Sequence, residues 1–436
     1  MSSQTSALAD PPAMGQASSR PFVARHRETI GCVILGVVLF LACVGFNPLA
    51  LPSPRDMQGG DASRQLSYMT VFVLIVWLQN LLSFPSRLAR VPTPYWLLFA
   101  WCLISLSWSL VPMTGLQRLG LTIIMVVTIF LSTDAAGYRR TTKTLQIVLL
   151  GLVLADFVAV ALFPLSAIHQ YGVVDPKLIG NWKGLSEQKN LAGAICATAI
   201  LFYLLSPFKV GTLLRVFAIV AAGVFLYMSK SKTSMGVGSA ALLIGLLYRY
   251  TPPHNRRLVL VIGLLAAVGL YQVGSFLFSA KLDAYLNEPD SLTGRTQIWA
   301  FLIEYAMAHP LTGAGSGSFW TYNDASPIHQ LADNWVEVSP NGHNGYLDTL
   351  VAIGFPGLAL AIAAVFPIPI GQLILTRGIA SRDGALPLAL LFFGLMHNLS
   401  ESTMMNRDAE VWLFTLIGGA LTQQLVDKAR RQATPA

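Results

Sequence analysis

The chain reads as an all-α, polytopic integral membrane protein with about twelve transmembrane helices and a large external loop. Three observations predict this. Of its 436 residues 54% are hydrophobic and only 11% are charged, whereas a soluble domain carries about a quarter charged residues. Mean hydropathy is +0.58. Apolar runs of roughly 17–25 residues, long enough to cross a bilayer as helices, recur along the chain.

Residues 1–28, beginning "MSSQTSALADPPAMGQASSR", are polar and unpatterned and read as a disordered cytoplasmic tail. No small-residue cleavage site follows a short apolar core, so the first apolar run is expected to stay as an anchor. A transmembrane block over 29–279 is expected, with spans near 29–47, 67–84, 93–111, 116–132, 144–166, 190–207, 211–229, 233–250 and 257–279. Residues 280–342 form the longest non-spanning segment. Residues 343–354 are too short to cross, and "GFPG" separates them from the next run, so they read as a half-helix. Spans near 357–376, 385–399 and 410–426 follow, and 427–436 is a second cytoplasmic tail. Cys32, Cys43, Cys102 and Cys196 all lie in apolar runs, which points to packing rather than a disulfide framework or a metal site.

Lys and Arg set the orientation, because they are retained on the cytoplasmic side. With both termini inside, the inner segments collect Arg25 and Arg27, Arg87 and Arg90, Arg139 and Arg140, Arg256 and Arg257, and Arg430 and Arg431. Most of the acids fall on the other side. The overall charge of +8 is thus explained by the inner leaflet, and no nucleic-acid partner is needed. Segment 280–342 becomes periplasmic. It holds Trp299, Phe319, Trp320, Tyr322 and Trp335 and a helical pattern at Trp299, Leu302, Ile303 and Ala306. Aromatics at that density form either an interfacial belt or a platform for sugar rings.

Polar clusters share this outer side. "GNWKGLSEQKNLAG" supplies Trp182, Lys189 and Asn190; "SKSKTS" supplies Lys232; "HNGYLD" supplies His343, Asn344, Tyr346 and Asp348; "HNLSESTMMNRD" supplies His397, Asn398, Glu401 and Arg407. External cations run against the charge rule. Snorkelling explains many single cases, but Arg118, Lys189, Lys232 and Arg295 together suit a bound polyanion such as a lipid pyrophosphate, since Arg offers a planar fork and Lys a point charge. No metal spacing is visible. His343 is the candidate base and Glu401 its rival. Trp182, Asn190, Asn344, Tyr346 and Asn398 are candidate substrate contacts. Asp348 cannot orient His343 along one helical face, where neighbours are three or four apart, so Asn398 or Glu401 is expected to do so. Paired carboxylates of the retaining type are not seen, and a single inversion is expected.

In "TGRTQIW…HPLTGAGSGSFW", "HNGYLDTLVAIGFPGL", "NWKGLSEQKN" and "SKSKTS" the chain resembles the O-antigen ligase and polysaccharide polymerase family of bacterial inner membranes. "HNLSESTMM" is closer to exopolysaccharide polymerases of the succinoglycan type. The resemblance covers about residues 180–410. It implies a GT-C-like architecture and transfer of a glycan from an undecaprenyl-pyrophosphate-linked oligosaccharide to a hydroxyl at the periplasmic face, without metal, nucleotide sugar or other cofactor. The implied acceptor is a growing polysaccharide or a lipid, and the implied partners are membrane lipids, chain-length regulators and export proteins. Arg295 matches the family's loop arginine and His343 its essential histidine, while Lys232 stands where ligases have Arg. Ligation to lipid A-core, a lipid-linked glycan transporter and a non-enzymatic export component remain the alternatives.

Overall fold

The computed structural model describes residues 22–45, 62–170, 178–258, 295–321, 326–328, 339 and 341–433. Nearly all of the span expected near 257–279, together with Tyr322 and Trp335, lies outside them.

The described residues are helical, without strands; an isolated antiparallel bridge joins Ile168 and Trp182. In order come α1 (Phe22–Cys43), α2 (Ala62–Leu78), α3 (Thr93–Ser105), α4 (Pro112–Ala136) and α5 (Tyr138–Leu162). Next are α6 (Lys189–Leu205), α7 (Thr212–Ser229), α8 (Lys232–Tyr250) and α9 (Arg295–Ala308). The last four are α10 (Gly345–Val365), α11 (Pro367–Leu375), α12 (Ser381–His397) and α13 (Glu410–Ala433). Helix occupies most of each expected span that falls within the described residues, although in the one near 67–84 it ends at Leu78. Among the described residues, five segments are long and apolar enough to cross a membrane: His26–Cys43, α4, α5, α7 and Gly345–Leu375, which joins α10 to α11.

Burial separates inner helices from outer ones. α13 buries Val411 through Leu421 without interruption, and α4 buries Met125 through Thr133. α7 instead buries only a stripe of Ala218, Ala222, Phe225, Leu226 and Ser229, while Leu213, Phe217, Val220 and Val224 face outward. An apolar outer face of this kind suits lipid, where association depends on close packing rather than on exclusion of water. Small residues let the helices approach: an added Cβ on Gly394 would lie 2.0 Å from Thr415 Oγ1, and one on Gly193 would lie 2.7 Å from Ser231 Cβ.

The expected half-helix is continuous with the following span, and α10 contains the break. Gly354 has φ 68° and ψ 179°, a conformation only glycine adopts readily, and Pro356 follows. Backbone groups freed by a kink must be satisfied within a membrane protein. Here the turn after α9 does it: Ala314 N–H donates to Val351 O at 2.8 Å and Phe355 N–H to Pro310 O at 2.8 Å. The Trp101 indole donates to Ile353 O at 2.9 Å.

α9 forms where the helical pattern places it, but with a shifted face. Ile298, Leu302 and Ala306 are buried, whereas Ile303 points outward and is 50% exposed. The i, i+4, i+8 spacing wins because α9 packs a narrow stripe on α10, burying Leu350 and Val351 beside Phe319.

Candidate functional site

One end of the bundle gathers the helix starts of α6, α8, α9 and α10 around the 398–409 loop between α12 and α13. Glu401 is at its centre. The Arg295 guanidinium reaches Glu401 Oε1 at 2.9 Å and also donates to the Ser400 carbonyl. Asn190 Nδ2 donates to the same Oε1 at 2.6 Å, and His343 Nδ1 lies 3.4 Å from Oε2. Glu401 is 6% exposed, Arg295 16% and His343 24%. Burial opposes ionisation of Glu401, yet the His343 hydrogen bond and the Arg295 charge overcome it and hold the carboxyl down to about 2. Glu401 is therefore a carboxylate and a poor proton acceptor. Its contact with Nδ1 favours the tautomer protonated there, which leaves Nε2 with a free lone pair.

Local chemistry fixes these side chains. Ser231 caps α8 by accepting from Ser234 N–H, and its hydroxyl donates to Asn190 Oδ1 at 3.0 Å; the Ser234 hydroxyl donates to Asn190 O at 3.1 Å. Thr233 and Ser400 hydroxyls meet at 3.3 Å. Lys232, exposed, sits between these two anchored neighbours, beside the carboxylate site. His343 has φ 49°, a left-handed backbone uncommon for a residue with a side chain. Its N–H donates to Asn341 Oδ1 at 3.0 Å.

Other sequence candidates take scaffold positions. Asn344 caps α10, its Oδ1 accepting from Tyr346 and Leu347 N–H. The Tyr346 hydroxyl donates to Leu395 O at 2.6 Å. Asn398 Oδ1 accepts from Thr403 and Met404 N–H and from the Thr403 hydroxyl, folding the loop that carries Glu401. The Trp182 indole packs edge-to-face on Phe157 and Phe225. Arg118 Nη1 donates to the Gly317 and Trp320 carbonyls at 3.0 and 3.2 Å, tying α4 to the glycine-rich turn. Gly317, at φ 76°, admits that approach: a Cβ there would fall 2.9 Å from Gly115 Cα. Lys189 opens α6 next to Asn190. All of them lie near span ends, where a polar side chain first satisfies local backbone groups.

Several contributors carried no functional mark in the sequence. Ser231, Ser234 and Ser402 are legible only as cap and turn residues. Among the described residues, no three of His, Cys, Asp and Glu gather as a metal ion would require.

Residues 217–362 match the family model described as O-antigen ligase. Lys232, Arg295 and His343 lie inside that match, and Asn190 and Glu401 outside it. The chain is also similar to the exopolysaccharide production protein ExoQ of Rhizobium meliloti (strain 1021), with 26% identity across 67% of this chain and 67% of that one. The resemblance drawn from the motifs therefore holds: residues 217–362 are similar to the O-antigen ligase family, and among the described residues, which form helices and no strands, five helices are long and apolar enough to cross a membrane.

Proposed function

We propose that the protein is a membrane glycosyltransferase that extends polysaccharide from lipid-pyrophosphate-linked oligosaccharides at the periplasmic face. The observation that carries this reading is the His343–Glu401–Arg295 constellation, with Lys232 and Lys189 at its edge. His343 Nε2 takes the proton of the acceptor hydroxyl as its oxygen attacks the anomeric carbon. Glu401, already anionic, orients the ring through Nδ1 and stabilises the imidazolium that forms, the division of labour seen in other base–carboxylate pairs. The glycosidic C–O bond to pyrophosphate breaks with its electron pair going to phosphate oxygen. Lys232 and the remaining Arg295 N–H groups stabilise that charge as it develops. A single displacement inverts the anomeric centre.

The donor is read as an undecaprenyl pyrophosphate from the family resemblance and from the placement of Lys232 and Lys189 near Arg295 at the same end of the bundle. Polymerisation is favoured over ligation by the similarity to an exopolysaccharide production protein. The topology follows the charge distribution: both termini cytoplasmic in the inner membrane, with the 280–342 segment and the site outside.

Purified protein in detergent, given a lipid-linked oligosaccharide, is expected to lengthen the glycan without any gradient. His343→Ala and His343→Gln should both eliminate extension while still binding the donor. Substantial product from the Gln variant would remove the base assignment. Absence of product from the unmodified protein, with donor moved across vesicles instead, would favour a transporter.

A further inference from the structure

His343 owes its place to the residue before it. Gly342 presents one peptide N–H and one carbonyl, and both are held. Its N–H lies 3.0 and 3.2 Å from the two carboxylate oxygens of Asp348. Its carbonyl accepts from the Trp299 indole of α9 at 2.8 Å. No space remains for a side chain there: a Cβ would meet Leu302 Cδ1 at 2.4 Å and Asp348 Oδ1 at 2.5 Å. Asp348 in turn accepts from the Trp320 indole at 3.1 Å and from the Ser402 hydroxyl, and that hydroxyl accepts from Asn344 N–H at 3.0 Å. One carboxylate thus joins the glycine-rich turn, the turn before α10 and the loop that bears Glu401.

The spacing of the two residues explains the arrangement. Asp348 lies beyond the reach of His343 along a shared helical face, but its side chain turns back from the first turn of α10 toward the unmet N–H groups that precede a helix. Acting on the Gly342 peptide, it fixes the starting direction of the chain at His343, whose left-handed backbone needs external support to persist. α9 supplies both Arg295, which binds Glu401, and Trp299, which binds Gly342. The base and its carboxylate are therefore registered against the same helix.

We propose that Asp348 is a positioning residue that aligns His343 on Glu401 through the Gly342 peptide, with Trp299 gripping that peptide from the other side. The catalytic consequence rests on the base role proposed for His343, but the alignment itself does not. Two measurements separate them. The first is modification by diethyl pyrocarbonate, quantified at each histidine by mass spectrometry, on the full-length protein in detergent. Asp348→Ala should raise the rate at His343 several-fold and leave exposed His309 unchanged. Asp348→Asn, which keeps one acceptor for Gly342, should fall between Asp348→Ala and the unmodified protein. The second is glycan extension, where kcat should drop with KM for the lipid-linked donor unchanged. If Asp348→Ala fails to fold, seen as reactivity at His397, which is 0% exposed, Trp299→Phe replaces it and should shift His343 in the same direction. An unchanged His343 rate in the folded variant overturns the proposal. Altered labelling, with no extension even by the unmodified protein, upholds the alignment and overturns the enzymatic reading instead.

Discussion

The two ends of the bundle use the same kinds of side chain to opposite effect. At the end where α4 and α13 finish, Arg90 pairs with Asp134 at 3.3 Å and Asp427 at 2.8 Å, and Arg27 pairs with Asp134 at 3.0 Å. Arg140 reaches Glu28 at 2.7 Å. These groups are 22–60% exposed, so water and salt screen them, and each pair contributes about 0–1 kcal/mol. At the other end Arg295 and Glu401 are nearly sealed, and one carboxylate serves Arg295, Asn190 and His343 together. A desolvated pair of this kind adds little net stability, but loss of one partner strands the other charge. The outer clamps fasten helix ends; the inner one holds the His343 imidazole in place.

The largest contrast expected is in accessibility. In a variant without native cysteines, Thr312→Cys should label from the periplasm in intact cells, and Ala380→Cys only after the inner membrane is opened. Both positions are exposed and belong to opposite ends. Labelling in the reverse order would invert the topology and remove the site from the periplasm.

Next come substitutions of matched chemistry at the two ends. Arg295→Ala should abolish extension and cost about 3 kcal/mol of stability, the scale for breaking a buried pair. Arg90→Ala should leave extension intact and cost about 1 kcal/mol. Thermal unfolding in detergent alongside the extension assay measures both. Similar losses at the two ends would refute the distinction.

A smaller effect is expected at Lys232, exposed at the edge of the site. Lys232→Arg keeps the charge and should retain more extension than Lys232→Ala, since pyrophosphate needs a cation there before it needs a fork. Equal loss in both, at normal expression, would assign Lys232 to packing.

The smallest effect is in the pH dependence of stability. Because the folded Glu401 carboxyl titrates at about 2 and an unperturbed glutamate near 4.3, its stabilisation is complete above the unperturbed value. It fades as pH falls from there toward about 2. The difference in melting temperature between the unmodified protein and Glu401→Gln should therefore be flat from neutral pH to about 5 and shrink below it. A difference that instead changed around pH 6–7 would mean that Glu401 is not held ionised.

Much of the architecture was legible because lipid-crossing helices need long apolar runs, and such runs survive in a single sequence. The break at "GFPG" was legible too, although not that α10 would continue through it. His343 and Arg295 stood out as polar groups in a charge-poor chain. Their common partner did not: Glu401 lies 58 residues from His343 and 106 from Arg295, and no local period links positions so far apart. Glu401 therefore read both as a rival base and, beside Asn398, as a candidate to orient His343, and only its contacts with Arg295, Asn190 and His343 join those readings at one carboxylate. Asp348 was set aside on helical spacing, a rule about side chains sharing a face that says nothing of a carboxylate folding back onto backbone.

The kink in α10 bears on how proteins of this architecture diverge. Val351 and Phe355 hand their unmet backbone groups to Ala314 and Pro310, so the turn after α9 acts as a splint across the break. The splint and the helix it mends cannot be inherited separately. A chimera that exchanges residues 309–318, but keeps the original 345–357, would set mismatched surfaces against a broken helix. Recombination is thus confined to blocks that carry both segments, and the distance between them in the chain sets the smallest unit of the fold that can be traded intact.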